Sequence, residues 1–215
     1  MRTLNLGRGT QRRWRWHLRH RLLLDIKAHT DIPTSGTNLT FSSAGLSKDT
    51  FYAAVAAWHA TLPSIVDAGG MTVWYLTSDS FILTPFHGPG IPASQALKLL
   101  QPFLDTLHRL NIKYEMTGPT DFPTYLDEFS TFEPPIPVET AQYGGRLIPR
   151  SVVETNNAGL TAAIRNITED KTPNATPLFV GVGLNVNRSV AKGTEGDNAV
   201  LPAWRDTLID SVLTT

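Results

Sequence analysis

The sequence contains no cysteine, which excludes disulfides, thiolate metal sites, cysteine nucleophiles and any cysteinyl link to a cofactor. It also lacks a charge bias. Lys plus Arg and Asp plus Glu both number 19, so net charge gives no reason to expect a nucleic-acid partner. No apolar run approaches the roughly 20 residues needed to cross a bilayer, so no membrane partner is expected. Leu22, Leu23 and Leu24, behind alternating Arg and Trp, make a poor signal-peptide core, and no compartment can be read. His59 and His108 fall in helical patterns and His87 in a turn, without metal-ligand spacing. No Ser-His-Asp arrangement, phosphate loop or paired-carboxylate motif stands out.

What is present fits a globular chain. Hydrophobic residues make up 41% and charged residues 18%, while 16 Gly and 15 Pro imply many turns rather than disorder. A chain of 215 residues can bury roughly 70% of its unfolded surface. Positive charge is crowded at the front, where Arg2, Arg8, Arg12, Arg13, Arg15, Arg19 and Arg21 form a basic head over residues 1–24. Sequons at Asn38, Asn166, Asn174 and Asn187 exceed the roughly one or two expected by chance and hint at a secretory origin.

Periodicity sets out the elements. Asp25 to Thr40 reads as a strand end and a Pro/Ser/Gly turn, after which Ser47 is placed to cap a helix whose face is Phe51, Val55, Trp58, His59 and Leu62, ending at Pro63. Met71 to Thr77 and Phe81 to Phe86 form a hairpin about Asp79. Pro92 to Leu110 is a second helix, Tyr114 to Thr117 a short strand, and Asp121 to Phe132 a short helix or turn before the Pro134-to-Pro137 loop. Tyr143 to Ser151 leads into a third helix carrying Val152, Leu160 and Ile164. The fold expected is α+β, an antiparallel sheet covered on one face by helices.

The clearest strand is Leu178 to Asn187, whose two faces differ completely. Leu178, Val180, Val182, Leu184 and Val186 alternate with Phe179, Gly181, Gly183, Asn185 and Asn187. The aliphatic set is expected against helices, and the glycine and amide set is expected either to form the wall of a ligand cavity or to be a solvated face with a twist or bulge. Tyr75 and Trp74 point to opposite faces of the hairpin, with core packing the expected fate of Trp74.

Several strings occur in a characteristic order: Lys27-Ala-His-Thr-Asp-Ile-Pro, Phe41-Ser-Ser-Ala-Gly-Leu-Ser, Asp67-Ala-Gly-Gly-Met, Phe122-Pro-Thr-Tyr-Leu, Tyr143-Gly-Gly-Arg-Leu-Ile-Pro-Arg-Ser, Gly181-Val-Gly-Leu-Asn-Val and Asn198-Ala-Val-Leu-Pro-Ala-Trp-Arg-Asp. Together they resemble the substrate domain of fungal FAD-linked oxidoreductases of the berberine-bridge-like family. The resemblance implies that residues 25–215 are a substrate-binding domain whose sheet lies over the isoalloxazine ring of FAD. It also implies oxidation of a small organic molecule by hydride transfer to flavin N5, with reoxidation by O2, as in fungal secondary metabolism. Under the resemblance, the family's FAD-binding domain and its C-terminal flavin-contacting segment are expected to be missing from this sequence. A noncatalytic remnant and a cofactor-free binding module therefore stand as alternatives to the enzyme.

Under this resemblance, Tyr75, Tyr143, Arg146, Phe179, Gly181, Gly183, Asn185 and Asn187 are the candidates to face substrate or flavin, with a plain loop and an ion-paired Arg146 as the other reading of Tyr143 to Arg146. Tyr125 and Tyr114 are weaker candidates. The basic head departs from the family. Shifted by one base, a back-translation of Thr10 to Leu23 reads as a glycine-rich stretch like that preceding the Lys-Ala-His strand in family members. The head is expected to be disordered or out of frame, through a frameshift or a misplaced start, a nucleic-acid arm and a membrane-active segment being the alternatives.

Overall fold

The Trp74 side chain anchors the molecule: fully buried, it sits between a helix layer and the middle of a seven-stranded sheet. In the computed structural model the described residues are 30–132, 143–169, 177–191 and 200–214, so the basic head, the Pro134-to-Pro137 loop and Asn174 lie outside them. The elements in chain order are β1 (Thr34–Ser42), α1 (Lys48–Asp67), β2 (Met71–Leu76), β3 (Ser80–Pro89), α2 (Ala93–Arg109), β4 (Glu115–Phe122), α3 (Tyr125–Phe132), β5 (Tyr143–Pro149), α4 (Arg150–Thr155), α5 (Asn157–Thr168), β6 (Leu178–Gly183), α6 (Arg188–Ala191) and β7 (Thr207–Thr214). The strands lie in the order β4-β1-β3-β2-β6-β7-β5, and every neighbouring pair is antiparallel.

Local chemistry explains the first half well. The Ser47 side chain accepts a hydrogen bond from the Thr50 amide, satisfying an otherwise orphaned donor of α1. Phe51, Val55, Trp58 and Leu62 then form the buried stripe. The helix does not stop at Pro63 but continues to Asp67. Proline removes only one intrahelical donor, and Ile65 and Val66 beyond it extend the buried stripe. Gly69, at φ +93°, and Gly70 turn the chain into β2.

Two expected loops are strands. The stretch around Ser35 and Gly36 belongs to β1, and Tyr143 to Pro149 forms β5 at the sheet edge. The 207–214 segment is a strand as well, paired with β5 and β6. Helices α1 and α2 pack on one face through Phe51, Trp58 and Phe103 against Phe41, Phe81 and Trp74.

Helix α3 is the exception to the one-sided cover. Phe86 is buried in the main core, so the next residue, His87, points to the other side. There His87 meets Glu128 of α3. The bare backbone of Gly36, register partner of His87, admits α3 this closely: a Cβ there would lie 2.6 Å from the Phe132 ring.

Candidate functional site

Beyond α3, the face of the sheet turned away from α1 and α2 presents a continuous floor. Ile82 of β3, Tyr75 of β2, Val180 of β6, Val212 of β7 and Gly145 of β5 stand side by side across five strands. Two residues along the strands, Val73, Val182, Asp210 and Leu147 form a second row. All but Ile82 and Gly145, which are exposed, are half-buried. Alternate residues share a face of a strand, so Met71 extends the β2 part of the floor.

The opposite set of β6 residues faces the helices. Phe179, Gly181 and Gly183 are buried; a Cβ on Gly181 would collide with the Trp74 indole, and one on Gly183 would lie 2.6 Å from Thr72 Oγ1 and 3.1 Å from Leu62 Cδ2. The expected assignment of the two β6 faces is therefore reversed. The period of two is real, but the glycines are small because Trp74 and Thr72 on the adjacent strand fill their side of the sheet. Phe179, Gly181 and Gly183 support the floor from beneath, where a ligand above the valines does not meet them.

Arg146 is also on the helix side by register, opposite Ser211, whose hydroxyl donates to the Arg146 carbonyl. The strand ends at Gly183, so Asn185 and Asn187 are not on its face. The Asn185 amide donates to Asp67 Oδ1 at 3.1 Å, beside the Arg150 guanidinium that grips the same carboxylate. Asn187 Oδ1 accepts from the Val190 amide and the Ser189 hydroxyl at the start of α6. Both asparagines serve helix ends, Asn185 at the last residue of α1 and Asn187 at the start of α6. Of the eight candidates, Tyr75 and Tyr143 alone have their side chains on the floor side, with Tyr143 in a third row beside Thr214 and Leu178.

Sequence reasoning missed Asp210. It is the one carboxylate in the two central rows, flanked by Val182 and Leu147 on neighbouring strands. Its signal was present: in Leu208 to Leu213 a lone acid alternates with Ile209 and Ser211, both buried. A hydroxyl or acidic C–H placed over these valines would meet a proton acceptor held by a strand.

Whether the described residues can also cradle phosphate is tested at α2. A Gly-Pro-Gly turn, 88–90, leads from β3 into α2 beside a cavity of about 390 Å³ lined by Pro33, Thr34, Gly90, Ile91, Pro92 and Asp121. Helix N-termini attract anions, but the Ala93 amide donates to Asp121 Oδ1 at 2.7 Å. A carboxylate thus occupies the position a pyrophosphate would take. The floor fits a flat ring system; this turn does not fit its diphosphate.

No family model matches the chain. Among curated proteins it is similar to the FAD-linked oxidoreductases patO of Aspergillus clavatus (39% identical, covering 89% of this chain and 33% of that protein) and of Penicillium expansum (40% identical, 88% and 32%). Among solved structures it is similar to a VAO-type flavoprotein of Myceliophthora thermophila, with a TM-score of 0.72, 28% identity, and coverage of 86% of this chain and 33% of that one. The Physcomitrella patens BBE-like 1 protein shares the fold, at a TM-score of 0.61 and 12% identity. The chain spans about a third of the length of the curated relatives it matches.

Proposed function

We infer that this chain, which belongs with the fungal FAD-linked oxidoreductases of the berberine-bridge-like group, supplies the substrate-facing wall of a flavin-dependent oxidation site. The observation that carries the reading is the floor itself. An apolar surface of valines, left open by the described helices beyond α3 and bearing one carboxylate, is suited to hold a flat substrate against an isoalloxazine ring. Val180, Val182 and Val212 exclude water from one side of the reacting carbon. Tyr75 borders the substrate on the β2 side. Asp210 accepts the proton of a substrate hydroxyl as hydride leaves the adjacent carbon, so the substrate loses two electrons and two protons in all. When bound, FAD would supply the hydride acceptor, with O2 as the final oxidant. The setting is oxidation of a small organic molecule in fungal secondary metabolism.

Lumiflavin, the bare ring system, tests the reading on the chain itself. In an amide-resolved NMR titration the signals of Tyr75, Val180, Val182 and Val212 are expected to move, while those of α1 and α2 stay in place. Shifts centred on the helix layer, or none at saturating lumiflavin, would remove the floor from consideration. In a flavin-loaded protein that contains this chain, Asp210→Asn is expected to lower turnover by about 10²-fold with an unchanged flavin spectrum. Undiminished turnover would deny Asp210 the proton-accepting role.

A further inference from the structure

The sign of the charge on the floor carries the reading one step further, to the class of molecule that the site accepts. Among the described residues, no strand residue on this face is Lys or Arg. Arg146, the basic residue of β5, sits on the helix side opposite Ser211. His87 lies at the far end of the same face, with its Nδ1 2.7 Å from Glu128 Oε1, so that nitrogen is engaged within the fold. Among the described residues the carboxylates on this side are Asp210 in the centre, Glu115 at the β4 edge beside Thr40, and, on α3, the buried Glu128 and the exposed Asp127. Among the described strand residues of this face a substrate anion would find no counter-ion, and it would lie against valines that cannot replace its hydration.

The dimensions are equally specific. Adjacent strands lie about 4.8 Å apart and alternate residues about 6.7 Å apart along a strand. The patch from Asp210 across Val182 to Val73, and along to Val212, Val180 and Tyr75, therefore measures roughly 10 by 7 Å. One or two fused rings cover it, with one edge over Asp210.

We propose that this face selects an uncharged, flat, apolar substrate of one or two rings with its reacting hydroxyl at Asp210, and turns away carboxylates and phosphate esters. The proposal rests on the reading of the floor as the substrate side. It adds that Asp210 excludes anions as well as accepting a proton, a form of specificity by repulsion.

Two probes with one ring system separate the cases: 2-naphthalenemethanol and 2-naphthoate, titrated into the full chain by methyl-resolved NMR at pH 7. The alcohol is expected to move the methyl signals of Val180, Val182 and Val212, with a Kd at least tenfold below that of naphthoate. Asp210→Asn, which keeps the side-chain shape, is expected to narrow that gap to about threefold or less, with the dispersion of the spectrum unchanged. Equal or tighter binding of naphthoate by the unmodified chain would overturn the proposal. A tenfold gap that persists in Asp210→Asn would overturn the role given to Asp210. If neither probe moves these methyls in a folded chain, the floor is not a substrate surface, and the underlying reading fails together with this one.

Discussion

Trp74 and Gly181 are register partners on neighbouring strands, and the indole of the first occupies the space in which the second would carry a side chain. The edge-on ring of Trp58 and the tilted ring of Phe179, their centroids 5.7 and 6.4 Å from that of Trp74, hold the indole there. Two of the glycines that look like a ligand-binding surface in the sequence are therefore a packing device. They let the largest side chain of β2 lie directly under β6, and so keep the valine floor flush on the other side.

Gly181→Val is accordingly expected to destabilise the chain by roughly 3 kcal/mol through overpacking. Gly183→Val should follow the same course against Thr72 and Leu62, harming folding rather than ligand access. Val180→Ala, on the half-buried floor, should cost under about 1 kcal/mol. Urea unfolding of the three variants checks the order. A Gly181→Val protein as stable as the parent would mean that the indole does not sit there.

His59 gives the fold a dependence on acid. It is fully buried beside Trp74, with ring centroids 6.0 Å apart, and neither ring nitrogen has a hydrogen-bond partner among the described residues. Burial pushes its pKa down from 6.5 to about 4, an effect that Asn157 beside it offsets only in part. The neutral form is thus favoured in the folded chain. Stability from this group is complete above pH 6.5 and falls as the pH drops towards 4, where the unfolded chain binds the additional proton. The loss is on the order of 3 kcal/mol. His59→Phe, measured by thermal unfolding between pH 7 and 4, should flatten that part of the profile; an unchanged slope would assign acid sensitivity elsewhere.

The His87–Glu128 pair, with side chains 3% and 0% exposed, fastens α3 to the floor side of the sheet, and the Thr34 hydroxyl donates to the second oxygen of Glu128 at 3.0 Å. Glu128→Ala takes a buried contact from both His87 and the Thr34 hydroxyl, so it is expected to cost about 3 kcal/mol. The double variant His87→Gln, Glu128→Gln should lose less than the sum of the two single changes. Hydrogen exchange should show α3 opening first in Glu128→Ala. Additive losses would mean that the two residues act independently.

Three of the four sequons can be compared in the structure. Asn166 is exposed on α5, whereas Asn38 lies within β1 with its Oδ1 buried, and Asn187 caps α6. Secreted from a yeast host, the chain is expected to carry sugar at Asn166 and not at Asn38, since a glycan is bulky and needs a surface position. Mass spectrometry after endoglycosidase treatment reads this directly; occupancy of Asn38 would contradict the burial of β1.

The sequence by itself determined the elements whose signals are local: the Ser47 cap, the apolar stripe of α1, the β2–β3 hairpin with Trp74 inward and Tyr75 outward, and α2, read as Pro92 to Leu110 and found over Ala93–Arg109. Capping and side-chain periodicity are properties of adjacent residues and survive without knowledge of the rest. Only the tertiary structure decided which face of β6 is covered. A period of two shows that two faces differ, whereas the inner one is chosen by Trp74, roughly a hundred residues earlier in the chain. The same holds for Asp210, whose strand mixes Thr, Asp and Ser with Leu, Ile and Val and acquires an open and a closed side only through pairing with β5 and β6. It holds too for α3, which crosses to the other face because Gly36 leaves room and Glu128 finds His87. Nonlocal packing and register, which no short window of sequence contains, made the candidate site.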